Sequence, residues 1–360
     1  MSPFWRKAKL AVRLIIIFIP ILFLTCITYN TCFHQVKNIM NTFSKLYENN
    51  VIQVRVNEEK WAEKKDIAYV SAFYYFPEAR NQRHPAKYYV KRFAKLLTVI
   101  SDDVDFYFYT NELGLQLLNL QTDIRNLYIN LTYKSPYDVC GLRKFREQYI
   151  EIANKYNGEI IINENLGAIW NAKICLLDDV SHFANNYKYI FWIDAGILKR
   201  SNFTGLTIPY QKRIDKIFTN HSNQLLLELN EVYNLNNRNY EPIEQLDPNF
   251  ANIVLGGFFG GTSATIRKSK DMFFKLHDLY LSQGKNVIRE ENIFNAMFMH
   301  YPNDYMGLDV QAKKYKCLRW DGGISFVSDQ NRCLLKNQLF FADVRNGKFE
   351  FKSEDLGEWL

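Results

Sequence analysis

Beyond its first 13 residues the 360-residue chain has no dense block of lysine and arginine, which makes nucleic acid an unsuitable partner. Arg6, Lys7, Lys9 and Arg13 supply most of the net charge of +7, and the remainder carries only +3. None of the six cysteines stands at a Cys/His spacing that would build a zinc site. The paired glycines Gly256-Gly257 and Gly260-Gly261 are not followed by Gly-Lys-Ser/Thr and do not form G-x-G-x-x-G. A phosphate-cradling P-loop and a dinucleotide fingerprint are therefore absent. There is no internal repeat or low-complexity tract, so a solenoid and a largely disordered chain are both excluded. No two carboxylates can be paired across a bond in the manner of a glycoside hydrolase.

What the chain does have is apolar mass. Hydrophobic residues make up 48% and aromatics 16%, enough for a substantial core in one large domain or two small ones. Leu14 to Leu24 is apolar apart from Pro20, and Thr25 to Tyr29 continue the run. Four basic residues precede it, so it reads as a signal anchor over 14–29, with a cytosolic tail (1–13) and a lumenal remainder. A cleaved signal peptide is the competing reading, and no convincing small-x-small site follows the apolar run. Residues 30–65 are polar and read as a stem, followed by a lumenal domain over 66–360. Topology of this kind belongs to the ER or Golgi membrane, single-pass and type II.

A lumenal placement changes how cysteine and asparagine are read. Cys140, Cys175, Cys317 and Cys333 could form two disulfides in an oxidising compartment, with Cys317 and Cys333 the most local pair. Sequons occur at Asn130, Asn202 and Asn220.

Within the domain, Ile67–Phe76 reads as a buried first strand. A helix follows with Tyr89, Phe93, Leu96, Leu97 and Ile100 on one face. Strands are expected at 104–110 and 127–131, helices at 142–156 and 168–180, and a short strand at 159–162. This alternation predicts an α/β domain: a mostly parallel sheet with helices on both faces. Residues 201–249 are irregular and Asn-rich and read as functional loops or insertions. Strand 250–261, a helix over 267–282 and another starting near Arg289 complete the pattern. Asp321-Gly322-Gly323 reads as a plain turn in preference to a segment returning to the donor site.

Tyr189-Ile190-Phe191-Trp192-Ile193 is an unbroken apolar run that ends in Asp194-Ala195-Gly196. Ligands of open α/β sheets bind beyond the carboxyl ends of strands. A carboxylate there suits a metal ion or a sugar hydroxyl, or it simply caps a turn. Glu290 and Glu291 sit at a helix start, where the dipole stabilises acids. In function, one of them would act as base or hold an acceptor hydroxyl. Trp170 reads as core. Lys173 reads either as solvated or, with Arg80 and Arg83, as a group neutralising a diphosphate. The glycine pairs let backbone approach a ligand closely, or mark a tight strand crossing.

Several segments occur in order: Ala72-Phe73-Tyr74-Tyr75-Phe76 with Arg80, Tyr88 to Leu97, Ile169-Trp170-Asn171-Ala172-Lys173, Tyr189 to Ile197, Gly256 to Gly261, and Glu290-Glu291-Asn292. Over about residues 67–305 the chain thereby resembles the HtrL/YibB-like family. That family was described from bacterial cell-surface polysaccharide loci and is grouped with nucleotide-sugar transferases of the GT-A fold. The resemblance implies a nucleotide-diphosphate-sugar donor, a glycan acceptor, Asp194 at the metal or sugar-phosphate position, and Gly260 and Gly261 at the donor. One departure stands out. GT-A enzymes typically show Asp-x-Asp here to hold Mn²⁺, and Gly196 replaces the second acid. A single carboxylate can still anchor Mn²⁺ if phosphate oxygens and water complete its shell. The rival expectation is a catalytically inactive, membrane-tethered carbohydrate-binding or adhesion protein.

Overall fold

The structure is a computed structural model and describes residues 51–53, 65–77, 85–118, 126–155, 163–183, 187–198, 207–230, 238–250, 252–310, 321–328 and 334–355. The chain divides into two compact units, Met1–Val51 and Ile52–Leu360, and the described residues fall in the second, save Val51 at the boundary. The signal anchor, almost all of the stem, the strand expected at 159–162, and Arg80, Arg83, Asn202, Cys317 and Cys333 lie outside the described residues. Among the described residues no helix is long and apolar enough to cross a membrane.

Ten strands form one sheet: β1 (Val51–Gln53), β2 (Ile67–Phe73), β3 (Asp105–Thr110), β4 (Leu127–Asn130), β5 (Tyr189–Ile193), β6 (Leu225–Leu229), β7 (Val254–Gly261), β8 (Tyr305–Val310), β9 (Leu334–Arg345) and β10 (Lys348–Asp355). Their order is β1-β4-β3-β2-β5-β7-β6-β8-β9-β10. From β4 to β5 every neighbouring pair is parallel. The expectation of a mostly parallel sheet fails beyond β5. There β7 runs antiparallel to both β5 and β6, β6 and β8 are parallel, and β9 and β10 add antiparallel edges. The apolar runs of β2, β5 and β7 are buried along their whole length. A strand covered on both faces reads the same whichever way its neighbour runs, so composition alone did not reveal the reversal.

Side chains alternate across the pleat. On one face Tyr69, Phe106, Phe108, Phe191 and Ile193 join a single core cluster. Helix α1 (Ala86–Leu97) covers it with Phe93, stacked on Phe108 at 4.1 Å. On the opposite face Trp192 stacks on Phe259. After α2 (Glu112–Leu118) and β4, a 3-10 segment (Pro136–Phe145) and α3 (Arg146–Lys155) lead into α4 (Glu164–Phe183). Helix α4 is buried nearly all round from Gly167 to Ser181, as expected of a helix wedged between a sheet and other helices. The disulfide Cys140–Cys175 ties the 3-10 segment to α4.

The stretch 201–249, read as irregular, contains α5 (Gln211–His221) and β6. The run Leu225-Leu226-Leu227-Glu228-Leu229 was a legible strand signal hidden by the asparagines after it. Helix α6 (Ser263–Ser282) starts at Thr262, whose hydroxyl accepts the Thr265 N–H, and ends at Gly284 with φ +70°. Helix α7 (Glu290–His300) follows. Asp321-Gly322-Gly323 opens α8 (Asp321–Val327) rather than a plain turn, and the Gly323 N–H donates to buried Glu228 at 3.0 Å.

Close strand contact explains Gly260. A Cβ on Gly260 would lie 2.3 Å from the Ile190 carbonyl oxygen and 2.7 Å from the Phe191 Cα. Backbone of a central strand cannot move aside cheaply, so Gly260→Ala should lower stability by about 1–3 kcal/mol. Denaturation midpoints measure it, and an unchanged midpoint would mean that β5 and β7 can separate at that point.

Candidate active site

The chain leaves β2 towards β3 through α1 on one face of the sheet. It returns to β5, on the other side of β2, through α4 on the opposite face. The connections at the carboxyl ends of β2 and β5 therefore diverge, opening a crevice at a topological switch point. A cleft fills this position, with about 1160 Å³ of empty space including its mouth. Its walls come from the end of β2 (Phe73, Tyr74, Phe76), the first turns of α1 (Tyr88, Tyr89, Arg92) and α4 (Ile169, Trp170, Lys173). Its floor is Trp192, the turn Asp194–Ile197 and Gly257. Trp170, expected in the core, is half-buried and lines the cleft.

Lys173 organises the floor. Its ammonium group is 3% exposed and lies 2.6 Å from Glu290 Oε1, 2.9 Å from Asp194 Oδ1 and 2.8 Å from the Gly256 carbonyl oxygen. An ammonium has three N–H donors, so all are used. Burial lowers the Lys173 pKa, but Asp194 and Glu290 more than reverse this and hold it above the ordinary lysine value. The side chain is a fixed internal cation and is neither solvated nor free to grip a diphosphate.

Asp194 follows β5 directly. Its N–H donates to Gly257 O at 2.9 Å, and its Oδ1 accepts from Trp192 Nε1 at 2.8 Å as well as from Lys173. The side chain is 37% exposed and is the one carboxylate lining the cleft among the described residues. Both side-chain contacts, from Trp192 and Lys173, fall on Oδ1.

Glu290 and Glu291, expected in the crevice, do not line it. Glu290 is buried behind Lys173, and its Oε1 would lie 2.0 Å from a Cβ on Gly256. Lack of a side chain at Gly256 is thus what admits Glu290 to the lysine. Glu291 turns its Oε1 to the Gly256 N–H at 3.1 Å. Burial, reinforced by Glu290, pushes the Glu291 carboxyl up to about 7. Between the ordinary 4.5 and about 7 the folded chain holds a proton that the unfolded chain has released, so stability falls as pH rises through this window. Glu291→Gln should flatten that slope and gain about 1–2 kcal/mol on wild type between about pH 5 and about pH 8. Parallel pH–stability curves for the two proteins would refute the shift.

The glycine pairs divide. Gly256 and Gly257 reach the site, whereas Gly260 and Gly261 pair with Phe191 and Ile190 at the far end of β5. The structure does not bring the second pair to the cleft. Arg92 is the cation that sequence reasoning missed. Its guanidinium lies 3.5 Å from the Tyr88 ring centroid and donates to the Gly196 carbonyl oxygen at 3.3 Å. Its position one helical turn after Tyr88 and Tyr89, on the helix leaving the first strand, was the available signal.

The donor set does not make a metal centre by itself. Asp194 stands alone, one oxygen already shared with an ammonium, and no group of three metal-ligating side chains occurs among the described residues. Of the sequons, Asn130 is fully buried, so a glycan there does not fit the fold, while Asn220 at the end of α5 is exposed.

No family model and no curated protein matches the chain, so the HtrL/YibB-like family remains a resemblance of motifs. Among solved structures, the apo form of mouse xyloside xylosyltransferase 1 aligns with a TM-score of 0.38 at 10% identity, covering 67% of this chain and 84% of that one. A likeness so distant decides neither fold family nor activity.

Proposed function

We propose that the chain is a glycosyltransferase that takes a nucleotide-diphosphate sugar and transfers the sugar to a glycan or glycoconjugate hydroxyl. The observation that carries this reading is Asp194, held by Lys173 at the floor of an aromatic-walled cleft where α/β sheets bind ligands. Aromatic faces suit sugar and nucleobase rings. In the transfer, the acceptor oxygen bonds to the anomeric carbon as the bond to the diphosphate oxygen breaks, and the acceptor's hydroxyl proton leaves on the departing diphosphate. A fixed carboxylate beside that carbon stabilises its developing positive charge on whichever face attack occurs. Lys173, locked by Glu290 and Gly256, keeps Asp194 in place. Glu290 is thus a positioning residue, and Glu291 lies one step further from the chemistry.

The lumenal, type II placement in the ER or Golgi membrane belongs to the same reading. It is supported by the basic tail before the apolar run and by the Cys140–Cys175 disulfide, which suits an oxidising compartment. A divalent cation at Asp194 is not used in this scheme, because the donor set around it is incomplete. The rival, a carbohydrate-binding protein without turnover, gains from the same aromatic walls.

Hydrolysis and transfer assays with UDP- and GDP-sugars separate the two. Turnover of one donor is the expected result, and binding of free glycans without cleavage of any nucleotide-sugar would favour the rival. For topology, glycosidase treatment should remove mass from the full-length chain through Asn220 or Asn202 and not through Asn130. A chain without glycan, digested by protease from the cytosolic side, would reverse the orientation.

A further inference from the structure

Of the three cations that the sequence offers for holding a phosphate, only Lys173 lies among the described residues. Lys173 is spent on Asp194, Glu290 and Gly256. Arg92, by contrast, lines the cleft with no carboxylate paired to it among the described residues. It is half-buried, and a charge withdrawn from water is costly unless compensated. The Tyr88 face and the Gly196 carbonyl compensate in part and also fix the guanidinium plane. Only one guanidinium nitrogen is engaged with Gly196, while the group has five N–H donors in a planar fork. That fork matches two phosphate oxygens.

Position adds a second argument. Gly196 lies two residues beyond Asp194 in the turn that floors the cleft, so the guanidinium and the carboxylate stand over one short stretch of backbone. Gly196 itself lines the cleft, and the Tyr89 ring packs where its Cβ would stand, at 3.4 Å. A ligand with an anionic end and a hydroxylated end would place the first at Arg92 and the second at Asp194.

Resting on the glycosyltransferase reading, we infer that Arg92 is the donor-binding residue that grips the diphosphate of the nucleotide-sugar, the charge coming from a side chain on α1. Lys173 serves instead to hold Asp194. The inference assigns the two ends of the cleft: diphosphate at the α1 wall, sugar at the β5 end.

The test is calorimetric titration of UDP, GDP and inorganic pyrophosphate into the full-length protein in detergent, with chelator present throughout. Wild type should bind at least one of the three. Arg92→Met should weaken that binding by about ten- to a hundredfold, with Arg92→Lys between them because it keeps the charge and loses the fork. Unchanged melting temperatures in both variants exclude misfolding, and Arg92→Lys preserves the test should Arg92→Met be unstable. Equal binding by wild type and Arg92→Met overturns the inference, as does a wild type that binds none of the three without added cation. The two readings fail separately. Turnover of a nucleotide-sugar that is indifferent to Arg92 would leave the glycosyltransferase standing and remove Arg92. Arg92-dependent pyrophosphate binding with no nucleotide-sugar bound or cleaved would keep the anion site and remove the transferase.

Discussion

Lys173→Met should destabilise the fold by about 3–5 kcal/mol at neutral pH. Methionine is close to lysine in length and apolar, so the space is filled and the loss is electrostatic. Without the ammonium, Glu290 at 4% exposure and Asp194 at 37% lose their shared counter-charge, and the Gly256 carbonyl loses its donor. Glu290 suffers most, because water cannot replace the lysine where it lies. The expected response is uptake of a proton by the buried carboxyls, so the deficit should shrink as pH is lowered. Urea denaturation followed by tryptophan fluorescence reads the change. The double variant Lys173→Met/Glu290→Gln should recover part of the loss, since it removes both ends of the closest pair. A single variant within about 1 kcal/mol of wild type would mean that the ammonium is not the keystone of the site.

Asp194→Asn is expected to leave the fold almost intact and to remove most of the activity. Asparagine keeps the shape, can still accept from Trp192 Nε1, and leaves Lys173 paired with Glu290. What disappears is the negative charge on the one carboxylate that faces the cleft among the described residues. Loss of a pre-placed charge beside a developing opposite charge is worth about 2–4 kcal/mol, a fall in turnover of roughly a hundredfold or more. A role confined to the turn predicts otherwise, because asparagine caps turns as well as aspartate does. Single-turnover hydrolysis of the accepted donor makes the distinction. An Asn variant with wild-type turnover would leave Asp194 as a turn residue and empty the proposed mechanism of its central group.

The two experiments also separate roles that the linear chain presents alike. Lys173, Asp194 and Glu290 all appear in the sequence as polar residues near apolar runs. In the fold Lys173 is judged by stability, Asp194 by turnover, and Glu290 by its effect through Lys173. Gly256 belongs with Glu290: it is the absent side chain that lets a carboxylate reach the lysine.

Local pattern was sufficient for β5 and its end. An apolar, ring-rich run broken by Asp194-Ala195-Gly196 leaves few alternatives to a buried strand opening on a crevice, because the signal lies within eight consecutive residues. Helix α1, α6 and the start of α7 were legible for the same reason: apolar period and end signals are local. The direction of β7 was not, since a strand buried on both faces has no asymmetry by which to read its neighbour. Nor was the partner of Lys173, which lies on α4 and bonds to a carbonyl 83 residues away. The sequence left this lysine either solvated or at a diphosphate, and only tertiary packing decides that two carboxylates meet it inside the fold. The same packing turned Glu290 and Glu291 away from the cleft, drew Gly260 and Gly261 into a strand contact, and left Arg92 at the wall. Sequence by itself determined that a buried strand ends in Asp194, and left open whether that carboxylate meets a ligand or caps a turn. The fold decided which charges are spent holding Asp194 in place and which is left to meet a ligand, because that depends on desolvation and on distances between segments far apart in the chain.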